Sequence, residues 1–510
     1  MRVGLRLGSS LLALLIAASA AAQAVTEPAA GASEAARAAL QSFDMRRLVR
    51  DRAYAEEILR HVERLEAEES ELSMGEDHSG IRLMALAALG RREEAQAGID
   101  RLVLAGPREV QPHVDAWWSA LILEDHARAV AVLEGASRRV RGVDRPELRR
   151  QIGPDLPRAM FGRLTGDAGR PQRVRLAAAL LGIGWPGDSD RVAGDDLRML
   201  VLDDRLAQGD AGGAAEIAGA IRTPSAILPL IVLRRYDAVI GAERDRLAML
   251  RAALAEEDRE TAEAVAVREP SVDHLLARAR YLRAVGRNAE AWALIEPLTR
   301  DVAATVSAGT SGIWLIDQGV GVLHALDRKG EALALDRRLV AVPLTANPEL
   351  IGLYINHIAF LSEAGLHAEA LDHARRIERD HARYANAYGM MWVSSGIVCA
   401  LAGLDRAEEA APVLARMRAA SEDNLAAMIR AHLCLGDTAA AEALLIRRLE
   451  DADSASVAIG FQTFELDNDP PEPGSIAARM RALRERPAVR AALDRVARTL
   501  SLPLAEFTWY

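Results

Sequence analysis

The sequence predicts an all-α protein, an α-solenoid of antiparallel helix pairs finished by a C-terminal capping helix. Three observations predict it. Ala, Leu, Arg and Glu dominate the 510 residues, and all are strong helix formers. Few stretches show the period of two expected of a strand. A turn residue followed five positions later by alanine recurs along the chain, and such long periods mark stacked helical repeats.

The chain opens on Arg2 and Arg6, an apolar run from Leu11 to Ala22, and the small-residue site Ala22-Gln23-Ala24. That order reads as a secretory signal over 1–24, cut after Ala24. The apolar run falls short of the roughly 20 residues a membrane span needs. No later stretch is long and apolar enough either, so the mature chain is expected to be periplasmic or secreted. Residues 25–36 read as a flexible linker.

Helical repeats are expected over 37–135 and again over 196–465. Residues 275–298 show the unit. Leu275, Ala279, Leu282 and Val285 share one helix face, away from Arg278, Arg280 and Arg283. Gly286 ends that helix because it tolerates φ > 0, and Asn288 is placed to cap the next. Ala291 is small where the two helices would cross. A larger side chain there would force them apart, at about 1–3 kcal/mol. Pro297 should end the second helix. The same mark pairs Gly90 with Ala95, Glu124 with Ala129, Gly209 with Ala214, and Asp327 with Ala332. It pairs Gly365 with Ala370, Asp405 with Ala410, and Gly436 with Ala441. Turns 90 and 124 are 34 residues apart; from 286 to 436 the steps are 41, 38, 40 and 31.

Between the two runs, 136–195 reads as an irregular connector broken by Pro and Gly. Its first part, 136–175, carries eleven Arg against four acidic residues. That is an arginine-rich connector, with an anion-binding patch as the sharper alternative. An acidic, Pro-rich linker follows at 466–474. Ser475 can then cap a terminal helix within 475–510, the kind of cap an open stack requires.

The turns GRREEA, GRNAEA and GLHAEA resemble those of the tetratricopeptide repeat, a helix–turn–helix unit of about 34 residues. The resemblance covers roughly 75–135 and 196–450. The repeats are degenerate. The family favours a small residue seven positions before the turn glycine; Ala279 fits, whereas Leu83, Ile358 and Ile429 do not. The resemblance implies a groove lined by the first helix of each pair. Counted as in the family, groove positions in the unit turning at Gly286 are Asp273, Leu276, Arg280 and Arg283. In the unit turning at Asp327 they are Trp314, Asp317, Gly321 and His324. The unit turning at Asp405 contributes Trp392. The implied partner is a protein or peptide segment.

A net charge of −10 argues against nucleic acid. Lys329 is the single lysine. Searches for metalloprotease, hydrolase, phosphate-loop and dinucleotide motifs find none, so neither enzymatic activity nor a cofactor is expected. His357, His367, His373 and His381 lie close in sequence but are expected to be packed or surface residues, not metal ligands. The carboxylates of 66–78 read as a solvated face. Cys399 and Cys434 fall on neighbouring first helices, where equivalent positions sit roughly 8–10 Å apart. That exceeds disulfide reach, so two packed thiols are expected, with a disulfide the minority alternative. The resulting function is an exported, non-enzymatic scaffold of the cell envelope. A cell-wall-processing enzyme carrying a helical superstructure is the alternative.

Overall fold

The computed structural model describes residues 31–69, 79–153, 155–186, 191–240, 246–451, 455–466 and 472–505. The expected signal, most of the 66–78 run, part of the 466–474 linker and the aromatic tail Phe507–Tyr510 lie outside them. The described chain is an all-α solenoid. Its contacts divide it into two units, one up to Ile221 and one from Arg222. Among the described residues, no helix is long and apolar enough to cross a membrane.

All eight expected turns are helix ends in the left-handed region. Gly90, Gly209, Gly286, Gly365 and Gly436 have φ between 72° and 76°, and Glu124, Asp327 and Asp405 have φ of 56°. The N–H just after each turn residue donates to the carbonyl five positions back, as Arg287 does to Leu282 at 2.7 Å. This is the helix-closing motif in which a left-handed residue satisfies stranded carbonyls. All eight marker alanines are fully buried.

In seven of the eight units the start of the second helix is settled in one of two ways; the eighth has Leu366 after Gly365 and no side-chain cap. Where Asp follows the turn, it caps: Asp125, Asp210 and Asp437 accept from the N–H three positions on. Where Arg follows, it clasps a Glu three positions on, as in Arg91–Glu94, Arg287–Glu290, Arg328–Glu331 and Arg406–Glu409. Asn288 is therefore not the cap: its unit is of the second kind, and its Oδ1 is buried without a partner.

In the first unit, Ser79–Ala88/Arg92–Ala105 and Val110–Ile122/His126–Arg139 are successive pairs. The 136–175 stretch is more regular than expected. Arg145–Ile152, Asp155–Arg163 and Gly166–Gly182 are helices, and the last packs on His126–Arg139. Several of its arginines act internally. Arg145 donates to the Ser137 carbonyl, Arg149 to that of Ile183, and Arg175 pairs with Glu134.

In the second unit, five pairs follow in order: Val272–Ala284/Asn288–Ile295, Thr310–Ala325/Lys329–Leu339, Ile351–Glu363/His367–Arg376, Ala387–Gly403/Ala407–Ala419, and Leu425–Cys434/Thr438–Glu450. Each pair packs on the next. Pro297 falls in a short 3-10 turn just after Ile295. Arg278, expected outside the apolar face, is buried, because its guanidinium donates to Asp258 and Thr261 of the preceding helix, Arg246–Val265.

Cys399 and Cys434 form a disulfide, with Cα atoms 5.0 Å apart; the expectation of two thiols is corrected. The two are not at equivalent positions. They are 35 residues apart, whereas their turns are 31 apart. That offset is close to one helical turn, and it sets Cys434 opposite Cys399 across helices that touch directly.

The C-terminal cap is two helices. Ser475 caps Ile476–Arg484 as expected, and Pro487 then opens a second helix, Pro487–Val496, which packs on Thr438–Glu450. The chain continues back to the start of its own unit. Thr463–Phe464 and Ser501–Leu502 form a two-residue parallel ladder. Arg498 N–H donates to the Val232 carbonyl at 2.9 Å, and its guanidinium grips Asp237, which Arg246 also holds at 3.0 Å. Ala505 N–H donates to the Ala284 carbonyl at 2.8 Å. The segment after the last helix of the second unit thus bonds to the unit's opening helices.

Candidate functional site

The groove positions implied by the repeat lie on the first helices of the second unit. The structure brings some of them together. Arg280 and Arg283 project from Val272–Ala284, and Asp317 from the neighbouring Thr310–Ala325. Arg283 donates to the Gln318 side chain at 3.3 Å and lies across Gly321. A Cβ at Gly321 would stand 2.2 Å from an Arg283 nitrogen, so the glycine is what admits the guanidinium. Asp273 accepts from Ser311 Oγ on that same neighbouring helix.

The other positions serve different neighbours. Leu276 is buried. Trp314 packs against the apolar core of the later pairs. His324 stacks on Phe360, with ring centroids 5.4 Å apart. Trp392 also packs on that core and meets Tyr388 edge-on at 6.5 Å. Tyr388 is more than half exposed.

Arg280 and Asp317 lie on adjacent helices of this face. They are near enough to feel each other electrostatically, yet they form no hydrogen bond or ion pair. Neither has any other such partner among the described residues, and Arg280 Nε is shut from solvent with no acceptor. Burial holds the Arg280 guanidinium below its usual range, opposed by Asp317. Burial also pushes the Asp317 carboxyl up to about 6; Arg283 and Arg280 pull it back, and Asp336 adds to the rise. Charge left without a hydrogen bond in a half-buried place carries a cost.

The same counting rule, applied to the turn at Gly436, gives Arg430 at the place Arg280 occupies in its own unit. Arg430 also has an Nε without an acceptor, and burial lowers its proton affinity. Its nearest carboxylate, Glu363, is 3.8 Å away. Arg430 was legible from the spacing; Gln318 and Phe360 were not, because neither falls on the stripe.

Behind this face lies a second polar cluster. The Asp336 carboxylate contacts His357 Nδ1, and both are buried. The His357 and His373 rings meet edge-on at 4.8 Å. His373 Nε2 is 2.9 Å from the Tyr354 carbonyl. Burial, and then His357, lower the His373 imidazole to about 4, so it is neutral near pH 7. Among the described residues, no group of three His, Cys, Asp or Glu is arranged to hold a metal ion.

The first unit carries a cleft of about 960 Å³ between Ser79–Ala88, Arg92–Ala105 and the start of Val110–Ile122. Two of its polar pairs are internal, Arg82 with Glu66 and Asp115 with Gln111. Of the two places, the Arg280–Asp317 face is the better candidate for a ligand. Compared with known proteins, the chain matches no protein-family model and no curated protein.

Proposed function

We propose that this protein is an exported, non-enzymatic scaffold of tetratricopeptide-like repeats whose first-helix face holds a segment of a protein partner. The observation that carries the reading is the unsatisfied charge on that face, at Arg280 and Asp317. Structural polar groups at such depth are ordinarily paired, and unpaired ones suit a ligand that completes them. Arg and aromatic residues dominate binding hot spots, and Trp314, Trp392 and Tyr388 lie along the same first helices. The Cys399–Cys434 bond supports export, since disulfides persist in oxidising compartments.

A photo-crosslinking residue in place of Trp392 tests the reading in the cell. A discrete crosslinked protein is expected, and Arg280→Glu should weaken it while the circular dichroism spectrum is kept. The same residue in place of Glu408, on the second helix of that pair, should give none. Equal capture at 392 and 408 would sink the proposal.

A further inference from the structure

Arg280 and Asp317, which feel each other across adjacent helices without bonding, have chemistry of their own. One presents a guanidinium with an unused donor, and the other a carboxylate that accepts no described hydrogen bond. The two side chains leave their mutual ion pair open although they sit on adjacent helices. Arg283, on the same helix as Arg280, donates to Gln318, lies across Gly321 and also draws on the Asp317 charge. A ligand that bridges Arg280 and Asp317 must offer an acceptor on one side and a donor on the other. A main-chain amide meets that need in shape but brings no counter-charge. Charge-assisted hydrogen bonds are shorter and roughly twice as strong as neutral ones, and a desolvated charge gains most from a full opposite charge.

We propose that Arg280 and Asp317 together receive an ammonium–carboxylate pair, the ligand's carboxylate on Arg280 and its ammonium on Asp317. The pair can come from a free amino acid or from the unblocked N-terminus of a peptide beginning with an acidic residue. The inference rests on the reading of the first-helix face as the binding face, and it specifies the chemistry of one place on that face.

Calorimetric titration of the full-length chain at pH 7.5 tests it, with a panel of free amino acids and with short Asp- or Glu-initiated peptides. Binding is expected from at least one member of the panel or one peptide, and which of the two binds identifies the source. N-acetylation of that ligand should remove binding. Arg280→Met and Asp317→Asn should each weaken it at least about thirtyfold, and Arg280→Lys should weaken it less. Dichroism and melting of each variant establish that it is folded. Binding should also fall as the pH drops below about 6, where Asp317 takes up a proton. Three results would overturn the proposal: no binding by any amino acid or unblocked peptide, equal binding of the acetylated form, or wild-type affinity in the folded variants. Crosslinking from position 392 is independent of all three, so its persistence would confine the failure to this site.

Discussion

Two polar clusters in the second unit, one buried and one half-buried, both touching the helix pair that turns at Asp327, satisfy their charges differently. In one, Asp336 on the second helix of that pair contacts His357, which meets His373, which bonds to the Tyr354 carbonyl. In the other, on the first-helix face, Arg280 and Asp317 stay apart and unbonded. Asp336 raises the proton affinity of Asp317, so the clusters feel each other. The difference separates polar groups that hold the stack together from polar groups held ready for something else. The structural cluster is buried and hydrogen-bonded, whereas Arg280 and Asp317 are half-buried and unbonded; hydrogen-bond satisfaction is the sharper mark.

Mutations should break that contrast in a definite order. Asp336→Ala strands a buried histidine, and removing one member of a buried pair typically costs about 3–5 kcal/mol; urea unfolding of the full chain measures it. The disulfide of the same unit gives a covalent yardstick. Replacing Cys399 and Cys434 by serine opens a loop of 35 residues, with an expected loss of about 3–4 kcal/mol that reduction of the wild type should reproduce.

Acid should distinguish the clusters by sign. His373 is held neutral, from 6.5 down to about 4. Its contribution is intact above pH 6.5 and is lost as the pH falls toward 4, by about 2–3 kcal/mol. His373→Gln should flatten that part of the pH–stability curve. Asp317 runs the other way. Its proton affinity is raised from 3.8 to about 6, so its contribution is full below pH 3.8 and is lost as the pH rises through 6. Asp317→Asn should therefore stabilise the fold by about 1–2 kcal/mol at pH 7.5 and give no advantage near pH 4. A destabilised Asp317→Asn protein at neutral pH would mean that Asp317 belongs with the structural cluster.

What could be read from the sequence follows from how locally each feature is decided. A residue tolerant of φ > 0, with alanine five positions on, fixes a helix end and a close crossing within one hairpin. All eight such marks are realised. The arginine stripe was legible as positions, because the count from the turn is short. That Arg280 stays unbonded was not, since that depends on what the adjacent helix brings opposite. Asp336 and His357 are 21 residues apart, and their contact depends on how one hairpin sits on the next. The disulfide was misjudged for the same reason: a shift of about one helical turn between neighbours changes which side chains meet. Arg278 looked like a surface residue until the preceding helix supplied Asp258.

The bond between Arg498 and Asp237 spans 261 positions in the chain. Contacts of such long separation form slowly, because a large loop must close before they are gained. The opening helix Pro224–Val232, almost wholly apolar, receives its last neighbours only once Arg498 has emerged. Until then that surface is open to misassembly with other chains, so the second unit has reason to depend on a chaperone during synthesis and to be intolerant of a stop codon before Arg498.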